Sequence, residues 1–303
     1  MVNQVLIVIK KTKYELDEEI YPDRDFYERI TKIQNNSFDK IYQSHLRQLK
    51  SREYLQKYVF PKGKYIFREE LDTISMDDFD LVVSLGGDNH FTYVAHHLNG
   101  TAILGCNSDS MTSKGALLDF TPETLKELVD QNWENHTEEY WSLIQAKITY
   151  PDNSIVSTVK CVNEISIRNA SPDLTSRYIL NHNGVIEEQK SSGLLLYTGA
   201  GSTGWYTSCT GLSLQESPVF PKDADYFGVF SRELSLRARA NFKLTDFRVD
   251  GTLKVISEMN GGISIDSLPE RIYPFPPGSI AEFTLSPKNL KVITSKITKK
   301  EEL

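Results

Sequence analysis

The stretch that decides the fold is Leu81–Phe91, LVVSLGGDNHF. Leu81–Leu85 is an almost unbroken apolar run, as expected of a strand buried on both faces of a parallel sheet. It ends in Gly86-Gly87-Asp88. Beyond it, Phe91, Val94, Ala95 and Leu98 return at helical spacing and mark one face of a short helix. Strand, glycine turn and helix in that order put the turn at the carboxyl end of a buried strand, where ligands of open α/β sheets bind. Two glycines let an oxyanion approach backbone N–H groups. A carboxylate at Asp88 would then face the ligand and could take a proton from an attacking hydroxyl. Read alone, the segment fits equally well a plain tight turn in which Asp88 caps the helix.

Outward from this turn the same alternation continues. Val5–Ile9 is a second continuous apolar run, and Thr101–Cys106 a third. Phe38, Ile41, Tyr42, His45, Leu46 and Leu49 follow helical spacing. Thr121-Pro122-Glu123 has a cap, a proline at the first helical position and an acid in the first turn, with Leu125, Leu128 and Val129 as the buried face. Such an order predicts a parallel sheet with right-handed crossovers. After about residue 135 the period changes to two. Ile144, Ala146, Ile148 and Tyr150 alternate, Pro151-Asp152-Asn153 reads as a turn, and Asn183-Gly184 and Asp250-Gly251 read as hairpins. The division expected is an α/β domain of residues 1–135 plus about 282–303, and a β-rich domain of 136–281.

Composition bounds the function. The 303 residues suffice for two cores, and the net charge of −7 gives no general field for polyanions, which argues against nucleic acid. Cys106, Cys161 and Cys209 are odd in number and widely spaced, so neither a disulfide framework nor a structural zinc site is expected. No apolar stretch has the length or flanks of a signal peptide or membrane span. A soluble, cytoplasmic protein is the expectation. His96 and His97 are adjacent on a helix, point in different directions and make a poor metal pair. Arg232, Arg237 and Arg239 form a basic cluster of the kind usually solvated or ion-paired. Lys299-Lys300-Glu301-Glu302 reads as a solvated tail.

Three further segments carry polar groups where chemistry needs them. Cys161–Ile167 has Asn163-Glu164 inside an apolar run; a pair so placed needs partners, supplied by a ligand, a network or, at a strand end, solvent. Ser191–Ser208, SSGLLLYTGAGSTGWYTS, runs from a strand into a loop of small and hydroxyl residues ended by an aromatic; the alternatives are a ligand-cradling loop and a flexible turn. Gly105–Ser110, GCNSDS, continues to Ser113-Lys114-Gly115 and places Asn107 at a strand end, as ligand contact or plain turn.

The Leu81–Phe91 segment resembles the GGDGT motif of the superfamily that holds NAD kinases, diacylglycerol and sphingosine kinases and 6-phosphofructokinases. Gly86, Gly87 and Asp88 match, whereas Asn89 and His90 replace glycine and threonine. The Asn163-Glu164 pair resembles the Asn-Glu motif of NAD kinases. The Gly-Ser-Thr loop is similar to their TPTGSTAY signature at Thr198, Gly201, Ser202 and Thr203. Gly199, Gly204 and Trp205 stand at the Pro, Ala and Tyr positions, and Ser192 stands where a DGL aspartate is usual. The Asn107 segment and Gln189–Leu194 look like the mitochondrial-type branch. Four motifs in family order make the resemblance specific, and a weaker likeness, a glycine hairpin followed by an Asp, lies in Ile263–Val292.

The resemblance implies the following. The fold is an α/β domain plus a β-sandwich-like domain. The chain is an NAD kinase that phosphorylates the adenosine 2′-hydroxyl of NAD or NADH, with NAD(H) in a cleft between the domains. Asp88 is the base. Gly86, Gly87, Asn89 and His90 hold the donor phosphates of ATP or a similar donor carrying Mg²⁺. Asn107, Asn163, Glu164, Thr198, Ser202, Thr203, Gly204, Trp205 and Ser208 bind NAD. A homodimer or tetramer is implied, with no membrane partner and no metal held by protein ligands alone. The rivals are a lipid kinase of the same superfamily and a dinucleotide-binding regulator without catalysis.

Overall fold

The computed structural model describes residues 4–34, 37–211, 218–235, 237 and 240–296. Arg239 and the Lys299–Glu302 tail lie outside the described residues. The chain divides into two units, residues 1–139 with 291–303, and residues 140–290.

The first unit is built on a six-stranded sheet of order β2-β1-β3-β4-β18-β5. Its strands are β1 (Val5–Ile9), β2 (Lys64–Phe67), β3 (Leu81–Gly86), β4 (Ala102–Asn107), β5 (His136–Trp141) and β18 (Leu290–Ser295). β1 pairs in parallel with β2 and β3, and β4 in parallel with β3 and β18. β1, β3 and β4 are buried along their whole length, which explains why they lack polar alternation. Helices α1 (Lys13–Ile20), α2 (Arg24–Ile33), α3 (Phe38–Tyr54), α4 (Asp88–Ala95) and α5 (Pro122–Asp130) complete the unit. Each of the first three starts on a side-chain cap, at Thr12, Asp23 and Ser37, and Thr12 with Glu15 forms a capping box. α3 departs from the stripe read in its sequence. Leu46 is exposed, whereas His45 is buried as the stripe places it, its Nδ1 2.8 Å from the Thr12 hydroxyl. Ser44, Arg47 and Ser51 of the same helix bind the segment from Ser108 to Thr112 instead.

The second unit is all β. One sheet has the order β10-β9-β14-β17-β6-β7 and the other β13-β12-β11-β8-β15-β16, and neighbouring strands in both pair antiparallel. The first comprises β6 (Ile144–Thr149), β7 (Ile155–Ser157), β9 (Ser176–His182), β10 (Val185–Ser191), β14 (Leu253–Ser257) and β17 (Ile280–Leu285). The second comprises β8 (Glu164–Asn169), β11 (Gly193–Tyr197), β12 (Phe227–Arg232), β13 (Asp246–Val249), β15 (Gly261–Ile265) and β16 (Ile272–Phe275). Ile148, Tyr178, Val255 and Phe283 of one sheet meet Ile165, Leu196, Val229 and Ile263 of the other in a single core, the arrangement of a β-sandwich. A short helix, α6 (Trp205–Thr210), follows β11 through a tight 3₁₀ turn.

The hairpin read at Asn183-Gly184 is present, with φ of 47° and 78° joining β9 to β10. Asp250-Gly251 is different. It lies between β13 and β14, which belong to different sheets, so it carries the chain across the sandwich rather than closing a hairpin. The boundary expected near residue 282 also shifts. β17 pairs with β6 and β14, and only from Lys291 does the chain belong to the first unit.

Candidate functional site

In the first unit the candidate residues gather at the end of β3. Gly86 is required by its neighbour, since a Cβ there would lie 2.7–2.9 Å from the His90 ring. His90 is 1% exposed and its Nε2 sits 3.0 Å from the carbonyl oxygen of Val8. Burial pulls its imidazole down to about 3, so it is neutral at physiological pH. His90 therefore fills the space beneath the turn, with its Nδ1 buried and without a hydrogen-bond partner. Gly87 is open: a Cβ there would meet nothing within 4 Å. It is the N-cap of α4 and offers no side-chain cap of its own; its carbonyl accepts from His90 N and Phe91 N, and no cap side chain takes the amides of Asp88 and Asn89. Asn89 is exposed beside them.

Asp88 is the first residue of α4, not its cap. Its carboxylate accepts from two backbone N–H groups, Ala116 to Oδ2 at 2.9 Å and Leu117 to Oδ1 at 3.0 Å. Gly115, at φ 69°, brings that loop close enough that a Cβ would stand 3.2 Å from Asp88 Oδ1. Each oxygen keeps one lone pair for another donor. Asn107 shapes the other end of the loop. Its Oδ1 accepts from Asp109 N at 2.9 Å and its Nδ2 donates to the carbonyls of Ser113 and Lys114. With its polar atoms so engaged it scaffolds the loop. Asp109 is held by Arg47, Ser44 and Thr112; burial alone would raise its carboxyl, but these hydrogen bonds bring it down to about 2.

In the second unit the sequence reading missed the organising residue. Asp266, 3% exposed and at φ 51°, follows β15. Its carboxylate accepts from the backbone N–H groups of Val162, Asn163 and Glu164 at 2.9, 2.6 and 3.1 Å, and from the Cys161 thiol. That concentration of donors fixes the entry of β8 and presents Asn163 and Glu164 together. The signal for it was the Asp after a glycine hairpin, which from sequence alone has no visible partner. Ser267 donates to Glu164 Oε1 at 2.9 Å. Burial first, and the Asp266 charge second, push the Glu164 carboxyl up to about 7. Asn163 Oδ1 is buried and has no hydrogen-bond partner, a condition that a bound donor would relieve.

The small-residue loop closes on this pair. Thr198 donates from Oγ1 to Val162 O at 2.6 Å and accepts from Gly201 N at 3.0 Å, while its own N–H donates to Asn163 O. Gly201 is obligatory, because a Cβ would stand 2.0 Å from the Asn163 carbonyl oxygen. Ser202 is fully buried, donating to Gly199 O and accepting from Val219 N. Thr198 and Ser202 thus staple the loop to the chain around it. Thr203 is half-buried, and Gly204 and Ser208 are exposed. A Cβ on Gly204 would lie 3.9 Å from Glu164 Oε2, so that carboxylate faces the start of α6. Trp205 is half-buried under the Arg232 guanidinium, 4.6 Å from its ring centroid. Ser192, at the position of the expected aspartate, donates to the Glu233 carboxylate, so a negative charge stands beside that position after all.

No family model matches the chain. A search of known proteins gives a NAD kinase of Bacteroides fragilis, 31% identical over 139 residues, which are 44% of this chain and 46% of that protein. Over that stretch the chain is similar to NAD kinases. It spans about half the length of the curated relatives it matches. Among solved structures, the NAD kinase of Archaeoglobus fulgidus in complex with ATP matches with a TM-score of 0.61 at 19% identity, over 98% of this chain and 95% of that one. The yeast NADH kinase complexed with NADH matches at 0.66 and 12% identity, over 97% and 84%. The parallel α/β unit and the antiparallel β unit therefore form the NAD kinase fold. Among the described residues no helix is long and apolar enough to cross a membrane.

Proposed function

We propose that the chain is an NAD kinase, transferring the γ-phosphoryl group of a magnesium nucleoside triphosphate to the adenosine 2′-hydroxyl of NAD or NADH. The observation that carries this reading is the assembly around Asn163 and Glu164. A carboxylate with a raised pKa, an amide oxygen without a partner and the open face of α6 converge there, on residues that match the NAD kinase signatures. The ATP and NADH named with the two solved relatives support the substrate classes.

In this reading Glu164, Asn163, Thr203, Gly204 and Ser208 orient the adenosine of the acceptor. Asp88 accepts the proton of the 2′-hydroxyl as its oxygen attacks the γ-phosphorus. The bond from that phosphorus to the β,γ-bridging oxygen breaks, and the nucleoside diphosphate leaves. The open Gly87 turn receives donor phosphate oxygens. Magnesium enters with the triphosphate, held chiefly by phosphate and water oxygens. The decisive experiment is a matrix of donors (ATP, other nucleoside triphosphates, inorganic polyphosphate) against acceptors (NAD, NADH), read as NADP(H) formed. No product from any pair overturns the reading.

One observation favours a non-catalytic dinucleotide binder instead: both Asp88 oxygens already serve the Ala116–Leu117 loop. Calorimetric NAD binding without turnover would select it. We also read the protein as a homo-oligomer of a reducing compartment. Ile155, Val156, Ile186 and Ile272 are exposed on the outermost strands β7, β10 and β16 of the second unit, a liability that pairing with another copy removes. Light scattering that returns a monomer at micromolar concentration would contradict this.

A further inference from the structure

The parallel register aligns Phe67, Ile9, Leu85 and Cys106 in one row across β2, β1, β3 and β4. One residue further stand Arg68, Lys10, Gly86 and Asn107, with Gly86 and Asn107 still paired. Residues of one row in a parallel sheet point to the same face. That face is the one α4 covers, since a Cβ on Gly86 would strike His90, and the Arg68 guanidinium lies 4.7 Å from the Tyr93 ring centroid. Two cations thus stand side by side at the carboxyl edge of the sheet, next to the open Gly87 turn. The place is also where the strand order 2-1-3-4 reverses direction, the usual ligand position in such sheets.

Lys10 is half-buried, and among the described residues no acidic group pairs with its ammonium. Burial, and then the charge of Arg68, hold it below the ordinary lysine value. Arg68 is oriented by Glu69 at 3.4 Å as well as by Tyr93. A lysine desolvated beside an arginine is an unfavourable arrangement for the empty protein, and an anion lying across both relieves it.

We propose that Lys10 and Arg68 bind the polyphosphate chain of the phosphoryl donor, with the N–H groups at the start of α4 completing the anion site. The inference rests on the donor half of the kinase reading and adds the residues that grip the phosphates. Charge-assisted hydrogen bonds of this kind are worth about 10- to 100-fold in affinity each.

The test is calorimetry of wild type, Lys10→Ala and Arg68→Gln with magnesium ATP, with inorganic tripolyphosphate and with NAD. Each variant should bind both phosphate probes about 10- to 100-fold more weakly, with NAD affinity within about twofold and Tm unchanged, and Lys10→Arg should restore most of the loss. Weakening for both probes assigns the pair to the phosphate chain. Weakening for ATP alone moves the pair to the nucleoside and overturns the inference, as does wild-type affinity in both variants or a wild type that binds neither probe. Polyphosphate binding that depends on Lys10 but comes without NADP formation upholds the site and counts against the kinase reading alone.

Discussion

Asp88 is asked to do two things with one carboxylate, and the two can be separated. As a base it should supply about 10²–10⁴-fold in kcat. As an acceptor for Ala116 and Leu117 it holds the Gly115 loop, and Asp88→Asn would turn an amide N–H₂ toward one of those donors. Leaving one N–H unpaired costs about 1–3 kcal/mol, so Asp88→Asn should lower Tm as well as activity. Gly115→Ala is the control. Its φ of 69° and the 3.2 Å approach of the added Cβ disturb the same loop while the carboxylate stays. A base predicts that Asp88→Asn loses far more kcat than Gly115→Ala at equal loss of Tm; equal kcat in the two variants would reduce Asp88 to a loop clamp. Glu164 yields a pH prediction. Its folded pKa of about 7 exceeds the ordinary glutamate value of 4.5, so between these values the native state holds a proton that the unfolded chain has released. Stability must then fall as pH rises from about 4.5 to about 7. Thermal melts across that range should show the decline in wild type and a flatter profile in Glu164→Gln; identical slopes would refute the raised pKa.

At the scale of elements, the strands and turns around the site were legible because their patterns are local. β1, β3 and β4 read as unbroken apolar runs, and the Asn183-Gly184 turn as a change of φ sign. The glycines of both motifs were legible as glycines but not in their reasons. Gly86 answers to the His90 ring and Gly201 to the Asn163 carbonyl, contacts that only the folded chain supplies. The same limit explains Thr198, Ser202 and Asn107, hydroxyl and amide groups that sequence pattern cannot assign to backbone or to ligand. It explains Asp266 too, whose donors lie more than a hundred residues earlier. Asp266→Ala would strand three backbone N–H groups and a thiol in a buried setting, a loss of about 3 kcal/mol or more. In a unit of this size that lowers Tm by roughly 6–12 °C. NAD affinity should fall with it, because the entry of β8 is what presents Asn163 and Glu164. A melt near that of wild type with NAD binding intact would show that the entry of β8 holds without its carboxylate.

For the molecule as a whole, the change from helical to alternating period near residue 135 was the sequence's ground for expecting two units, and the chain divides after Glu139 and before Lys291. β17 alternates like any sandwich strand and pairs with β6 and β14, and nothing in its own residues announces that the chain leaves that sheet one strand later. The three cysteines sample both units and make their integrity measurable. Cys106 lies inside β4 of the first unit and Cys161 beside Asp266 in the second; both are buried, and burial raises both thiols well above their ordinary value. Cys209 is half-buried on α6, next to Ser208, and burial raises it as well. Since the thiolate is the reacting form, a thiol-specific dye should label Cys209 slowly in the native protein and the other two only through opening of their own unit. Three thiols should titrate in denaturant without reductant, and reductant with EDTA should leave Tm unchanged. Saturating NAD should slow labelling of Cys209, because a ligand bound on α6 suppresses the local opening that exposes this half-buried thiol, and should leave Cys106 no faster. Native labelling of two or three thiols at the rate of a free cysteine would mean that the cores are not closed as described. Full Cys209 reactivity in saturating NAD would place the dinucleotide away from α6.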